Sequence, residues 1–236
     1  MTHQYFAQIH AILNQVEHTQ QPAMEQAARL LCDATLQGRQ IYAFGCNHGG
    51  LVAMELFYRT GGLANMQLMR FPGLCLDVFP PILTTKFEAL SGYGDLMLNA
   101  YPLGAGNVLI LHSVTGKNMV TIDVALGAKA RGASVIALTN VTLSKGSRPC
   151  HPSGKRLYEI ADVVIDNCGG PSDALLSMEG SPQKVAPAST VVGAAIVNAV
   201  VAQTAQLLHQ NGYTPPILAS SNAEGGAEYN QKLLQK

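Results

Sequence analysis

At 236 residues, with 47% hydrophobic and 13% charged content, the chain has room for a sizeable core and for buried contacts between copies. Lys+Arg and Asp+Glu balance at 15 each, which removes the basic excess that a broad nucleic-acid footprint needs. Trp is absent and aromatics make up 6%, so platforms for stacking bases are few. The five cysteines (Cys32, Cys46, Cys75, Cys150 and Cys168) are odd in number and never spaced C-x-x-C, which disfavours a zinc site or a disulfide framework. No secretory leader is expected at MTHQYFAQIH, and no run approaches ~18 uninterrupted apolar residues. The expected setting is the cytoplasm, with neither nucleic acid nor membrane as partner.

Tyr5, Ile9, Leu13 and Val16 recur at helical spacing, and Gln21-Pro22 is expected to break that helix. Ala23, Ala27, Leu30, Leu31 and Ala34 continue on a second helix ending near Gly38, so residues 1–38 are predicted to form a helical hairpin. Ile41 to Phe44 is the first strand, followed by the glycine-rich turn Gly45 to Gly50 and a helix over Leu51 to Arg59. Met66 to Met69 is a second strand. Phe71 to Thr85 is proline-rich and reads as a loop over the site, and Lys86 to Tyr101 reads as helix, weakened by Gly92 and Gly94. Val108 to Leu111 is the third strand, Ser113 to Gly116 a polar turn, and Met119, Ile122 and Leu126 the stripe of a helix that Gly132 can end. Ser134 to Leu138 is the fourth strand and Val163 to Asp166 the fifth. Between them, Val141 to Tyr158 reads as a polar loop with a short helix near its end. Cys168 to Pro187 is a further loop, and Ser189 to His209 is a long helix apolar nearly all round. The tail from Tyr213 carries Pro215-Pro216 and a polar turn over Ser220 to Gly226. One domain over 1–236 is the simplest count, with the hairpin at 1–38, a core at 39–211 and a tail at 212–236.

Five strands with intervening helices predict an α/β doubly wound parallel sheet in the order 2-1-3-4-5. Strands one and three are then neighbours whose following connections diverge to opposite faces, and ligands bind in that crevice. The two loops there, Gly45 to Gly50 and Ser113 to Asn118, are among the richest in glycine and hydroxyls. Ser113, Thr115 and Asn118 can donate to a phosphate oxygen, and Gly116 lets backbone N–H groups approach it. This is not a Walker loop, which needs glycine where Leu111 stands and a hydroxyl where Asn118 stands. Gly45 to Gly50 does not match G-x-G-x-x-G either, so a small phosphorylated ligand fits better than a nucleotide. The plainer alternative is a pair of ordinary turns between strand and helix.

Phe44-Gly45-Cys46-Asn47-His48, followed by Ser113-Val114-Thr115-Gly116-Lys117-Asn118, resembles the SIS (sugar isomerase) family over most of Ile41 to Leu208. In that family the second loop, usually S-x-S-G-x-[ST], holds the phosphate of a phosphosugar; this chain has Asn118 at its last position. HPSGK at His151 to Lys155, EGSPQKV at Glu179 to Val185 and SSNAEGG at Ser220 to Gly226 are similar to a branch of SIS proteins. That branch is itself similar to phosphoheptose isomerases and N-acetylmuramic acid 6-phosphate etherases. The resemblance implies a sugar-phosphate-binding protein that acts as a phosphosugar isomerase, with a phosphosugar lyase or a non-catalytic sensor as alternatives. Neither enzymatic reading requires a metal or an organic cofactor.

Aldose–ketose isomerisation needs a base beside the migrating proton and a second acid–base group. Ala53-Met54-Glu55-Leu56-Phe57-Tyr58-Arg59 is similar to the A-x-E-L-x-x-R context of the phosphoheptose isomerase base, which implies Glu55; its alternative is a solvated ion pair with Arg59 four residues on. Where those isomerases place a histidine on the last long helix, this chain has Asn198, which can bind a sugar hydroxyl but exchanges no proton near neutral pH. His151, in a loop made basic by Arg148 and Lys155, is the replacement candidate. The substrate-binding set is Gly45, Asn47, His48, Ser113, Thr115, Gly116, Asn118, Thr190 and Asn198. Glu88 and Glu179 are weaker acid–base candidates; Ser189 and Thr190 begin the last helix and either cap it or face the sugar. The apolar last helix and the N-terminal helices predict a homodimer or homotetramer.

Overall fold

Residues 41–44 are Ile, Tyr, Ala and Phe, and all four are buried, as in a strand covered on both faces. The sheet is organised around this strand in the computed structural model, which describes residues 1–235. In chain order the elements are α1 (Thr2–Leu36), β1 (Ile41–Gly45), α2 (His48–Glu55), β2 (Met66–Leu68), α3 (Ile82–Glu88), α4 (Tyr93–Leu98), β3 (Val108–His112), α5 (Met119–Ala130), β4 (Ser134–Thr139) and α6 (Val141–Gly146). A single 3-10 turn at Leu157–Glu159 precedes β5 (Val163–Asp166), β6 (Ala174–Leu176), β7 (Val185–Pro187), α7 (Ser189–Gln210) and α8 (Gly226–Leu234).

The five-stranded sheet has the order β2-β1-β3-β4-β5, and every pair in it is parallel, as the pattern of apolar runs and helical stripes predicts. Ile41 stands opposite Met66 on one side and Val108 on the other, so the strands run in step from their first residues. Alternate side chains feed two cores. Ile41, Ala43, Val108, Ile110, Ile136 and Leu138 pack with α1, α2 and α7 on one face. Tyr42, Phe44, Leu109, Leu111, Val135 and Ala137 pack with α4 and α5 on the other. Each fully buried large apolar side chain stabilises the fold by roughly 1.5–3 kcal/mol.

The expected N-terminal hairpin is replaced by one helix. α1 runs unbroken for 35 residues with Pro22 inside it. An interior proline costs about 3 kcal/mol, so something must offset it. Ile9, Ile12 and Val16 before the proline and Ala27, Ala28 and Leu31 after it bury into the same core against α7 and the sheet. The residues just ahead of Pro22 are also docked, since the Gln20 side-chain carbonyl accepts from the backbone N–H of Asp166 at 3.0 Å. Packing on both sides of the proline keeps the helix continuous through it.

Other boundaries differ for local reasons. The predicted helix over Lys86 to Tyr101 is two short helices, α3 and α4, separated at Gly92, whose N–H donates to Asp123 Oδ2 at 3.1 Å. The helix after the first glycine turn starts earlier than predicted, at His48, and ends at Glu55. The loop after β4 has its short 3-10 helix near its end, at Leu157–Glu159, as expected, and a further helix at its start, α6, capped by Asn140. The segment after Cys168 contains the antiparallel pair β6–β7, and the tail contains α8; neither carries enough periodicity to be read in advance. α7 is the one helix among the described residues long and apolar enough to cross a membrane. Here Val192, Ile196, Val197, Val200 and Val201 are buried in the core, while Val191 and Asn198 lie on its exposed face.

Candidate functional site

Gly45 and His112, the last residues of β1 and β3, are register partners. The chain leaves β1 for α2 on one face of the sheet and leaves β3 for α5 on the other, so the loops after them bound a crevice at the carboxyl ends of adjacent strands. In the first loop, α2 is pressed hard onto β3. A Cβ on Gly49 would lie 2.6 Å from the His112 carbonyl oxygen, so only glycine fits. Asn47 takes φ 53° and ψ −125°, a backbone conformation that costs a non-glycine residue energy and persists only where its surroundings hold it. Those surroundings are two hydrogen bonds: its backbone N–H donates to the Leu74 carbonyl at 2.9 Å and its side-chain amide donates to Glu88 Oε2 at 3.0 Å.

The second loop is fastened from three sides. Ser113 N–H donates to Leu138 of β4, the Thr139 hydroxyl at the end of β4 donates to Val114 at 3.2 Å, and Asn140 N–H just after it also donates to Val114. From the loop before β5, Leu157 N–H donates to Gly116 at 2.7 Å and Cys150 N–H to Lys117 at 3.3 Å. Within the loop, Gly116 N–H donates to Ser113 Oγ at 3.2 Å. Gly116 itself has φ +55° and lies so close to Leu157 that an added Cβ would meet the leucine Cβ at 3.0 Å. α5 then begins with Asn118 as its N-cap, and the first N–H groups of its twelve residues have no partner within the helix. A backbone loop held this firmly ahead of a helix N-terminus is suited to an anion. Thr115 and Asn118 are both half-buried here.

Glu88 joins the two loops. It stands at the end of α3 with 9% of its surface exposed. Burial raises its carboxyl pKa above the ordinary 4.5, against the lowering effect of the nearby Asn118 amide and the hydrogen bond from Asn47. One buried carboxyl group therefore accepts from Asn47 of the first loop and lies near Asn118 at the end of the second. Asn47 Oδ1 is itself buried without a partner, and Asn47 also lines a cavity of about 290 Å³. Sequence reading ranked Glu88 low, because a glutamate in a short helix has no signal of burial. Its one sequence signal is position, between the two loops and just after the segment expected to cover them.

His112 is a second residue that escaped the sequence reading. It is buried beneath both loops, with Nδ1 3.4 Å from the Gly49 carbonyl and Nε2 without a partner. Burial pushes its pKa down to about 4, so the ring is neutral at pH 7. Its signal was a polar residue closing an otherwise apolar strand directly before Ser113.

The two expected acid–base residues, Glu55 and His151, are each engaged by other side chains. His151 is bound at both ring nitrogens. Ser153 N–H donates to Nδ1 at 3.0 Å, which leaves Nε2 to carry the proton and donate to Asp123 Oδ1 at 2.9 Å. The histidine thus ties its loop to α5. Glu55 ends α2, about 10 Å along the helix axis from His48 at 1.5 Å per residue. It pairs with Arg59 and accepts a hydrogen bond from Asn198 Nδ2 at 2.8 Å. The structure therefore brings Glu55 and Asn198 together, and the hydrogen bonds of both run to each other, to Arg59 and to the Ala194 carbonyl. His48 is exposed, Thr190 is half-buried, and Glu179 is exposed after β6. The start of α7 is capped by Asp173, which accepts from Ser189 N–H at 2.8 Å and from the Ser189 hydroxyl at 2.9 Å. Among the described residues, no cluster of three His, Cys, Asp or Glu could hold a metal ion.

The family model of the SIS domain matches residues 4–140, more than half of the chain. This chain belongs to the SIS domain family. A relative of this SIS domain chain, a UPF0309 protein of Shouchella clausii, is 41% identical over 233 residues, covering 99% of this chain and 95% of the relative. Two solved structures share the fold. A phosphoheptose isomerase from Francisella tularensis superposes with a TM-score of 0.57 at 18% identity, covering 87% of this chain and 96% of its own. The sugar isomerase domain of an RpiR transcription factor from Sphaerobacter thermophilus superposes with a TM-score of 0.53 at 19% identity, covering 100% and 96%.

Proposed function

We propose that this SIS domain protein binds a phosphorylated sugar, with the phosphate on Ser113 to Asn118, and isomerises it with Glu88 as the base. The observation that carries this reading is the buried Glu88 carboxyl, held by Asn47 of the first crevice loop and near Asn118 of the second. A raised pKa suits a carboxylate to accept a proton near neutrality. In the open-chain aldose form, Glu88 takes the proton from the carbon beside the carbonyl. The electron pair left behind forms the carbon–carbon double bond of an enediol, and the carbonyl oxygen gains a proton. Return of the Glu88 proton to the former carbonyl carbon, with loss of the adjacent hydroxyl proton, completes the ketose. Ser113, Thr115 and the N–H groups at the start of α5 hold the phosphate and thereby fix the distance from the reacting carbons to Glu88. His48, exposed at the first turn of α2 next to Asn47, is available to relay the oxygen-bound proton. The reading includes a homodimer or homotetramer in which the exposed face of α7 is covered.

The pairing of Glu55 with Asn198, which cannot titrate, favours a second reading in which the protein senses a sugar phosphate without turning it over. The shared fold of an isomerase and a transcription factor domain is compatible with both. One experiment separates them. Sugar phosphates that raise the melting temperature are incubated with the protein in heavy water and followed by proton NMR. Deuterium entering the carbon beside the carbonyl, and ceasing to enter in Glu88→Gln, supports the isomerase. Stabilisation without exchange supports the sensor. If no sugar phosphate stabilises the protein, both readings fall.

A further inference from the structure

A second cavity, of about 420 Å³, lies at the amino ends of β1 and β2, the edge of the sheet opposite the crevice. It falls within the roughly 300–1,000 Å³ typical of small-molecule sites. The end of α1, the turn before β2 and the C-terminal tail build it together. The tail is fixed there by paired backbone bonds: Ala64 N–H donates to Pro216 at 2.7 Å, Gly61 N–H to Leu218 at 2.9 Å, and Leu218 N–H to Gly62 at 2.9 Å. Asn230 of α8 closes the arrangement by bonding both the N–H and the carbonyl of Ala219.

Three features of the lining specify a ligand. The Thr35 hydroxyl donates to the Leu31 carbonyl at 2.8 Å, so toward Asn65 it can only accept, and the Asn65 Nδ2 amide donates to it at 2.9 Å. This orients the Asn65 amide and leaves Oδ1, buried and without a partner, as an acceptor in want of a donor. Arg39 is the cation of the lining, and among the described residues no carboxylate shares that lining with it. Tyr213 and Tyr229, each close to half exposed, offer ring faces on the tail side, and Gln67 adds an amide.

We propose that this cavity is a binding site for a small sugar acid, separate from the crevice at the other end of the sheet. A hydroxyl of the ligand bonds the exposed Gln67 amide, a carboxylate accepts the planar fork of Arg39, and a tyrosine ring covers a face of the carbon chain. A lone guanidinium matches a carboxylate in two parallel hydrogen bonds, whereas a doubly charged phosphate would call for further positive groups, which the lining lacks among the described residues.

The test titrates the full chain with D-gluconate and with D-glucuronate at constant ionic strength, using uncharged glucitol as control and amide NMR shifts as the readout. Wild type, Ser113→Ala and Arg39→Met are compared; methionine keeps an unbranched apolar stem of similar path beside Gly106 while removing the charge. The expected result is saturable binding of at least one acid, with shifts at the amides of Asn65 and Gln67. It is retained in Ser113→Ala and weakened about tenfold or more in Arg39→Met. Failure of both acids to bind wild type, equal binding in Arg39→Met, equal binding of glucitol, or loss in Ser113→Ala would each overturn the proposal. Because Ser113 serves the crevice alone, failure of the phosphate site and failure of this one give different patterns.

Discussion

The Asn47 side-chain amide donates to Glu88 Oε2 at 3.0 Å across the crevice, joining the strained turn after β1 to a buried carboxyl group from α3. Two consequences follow from the burial of that carboxyl. Between the ordinary value of 4.5 and its raised value, folded Glu88 keeps a proton that the unfolded chain releases, so rising pH through that window lowers stability. Glu88→Gln removes this loss and is expected to raise the melting temperature at pH 7 relative to wild type, with no gain at pH 4. Isomerase turnover falls by about 10²–10⁴ in the same variant. Calorimetry at the two pH values and a coupled ketose assay check both halves.

Glu55 gives the contrasting case. It lies at the far end of α2, bound by Arg59 and Asn198. Glu55→Gln is expected to leave turnover within about fivefold of wild type, and to change stability by no more than ~1 kcal/mol because the ion pair is partly exposed. Steady-state kinetics of the two glutamine variants, side by side, decide the base: a large loss confined to Glu55→Gln would move the role to Glu55.

Ser113 Oγ accepts from Gly116 N–H and faces the proposed phosphate. Removing the hydroxyl in Ser113→Ala loses one hydrogen bond inside the loop and one to the ligand. The affinity for a stabilising sugar phosphate should fall about tenfold, equivalent to ~1.4 kcal/mol. Isothermal titration measures this directly, and the fold should persist because β4 still holds the loop through Val114.

His112 predicts an acid-labile fold. In the unfolded chain its pKa is the ordinary 6.5, and in the folded protein about 4. Between these values the unfolded chain holds a proton that the folded one lacks, so stability rises with pH across that window. The contribution is present above about pH 6.5 and is lost as pH falls toward about 4, amounting to something on the order of 3 kcal/mol. Urea melts of wild type and His112→Gln between pH 4 and 7 isolate it, since the difference between the two curves cancels the other six histidines. A difference that does not vary with pH would show that His112 titrates alike in both states.

Pro22 is a stability defect that the packing of α1 tolerates. Pro22→Ala restores an N–H for the His18 carbonyl and removes the ring clash, so a gain of about 1–3 kcal/mol is expected, reduced by the freer unfolded chain. Thermal melts would show it as a higher midpoint with helical content unchanged. A fall in the midpoint would mean that α1 is built around the proline.

Much of the scaffold was legible because its signals are local. Residues 41–44, 108–111 and 134–138 are short apolar runs that can only be strands covered on both faces, and their separation by helical stripes leaves parallel crossovers as the connection. The hairpin expected at residues 1–38 failed for the same reason in reverse. Proline is a local signal, and the buried residues on both sides of it, packed against α7 and the sheet, outweigh it. β6, β7 and α8 are too short or too polar for their periodicity to register.

By itself, then, the order of apolar and polar residues determined the strands, the helices between them and the two loops at Gly45 and Ser113, since each rests on spacing within one segment, and the common doubly wound arrangement of such units supplied the strand order. Which side chains meet in that crevice was decided only in three dimensions. Glu88 lies 41 residues from Asn47 and 30 from Asn118, and its burial, hydrogen bonds and raised pKa come from segments that no local pattern relates. The same holds for His151, turned to Asp123 from 28 residues away, and for Asn65, whose orphaned oxygen depends on a hydroxyl of α1. Desolvation and hydrogen bonding act on what is near in space, so the character of an ionisable group becomes readable only once the chain has closed around it.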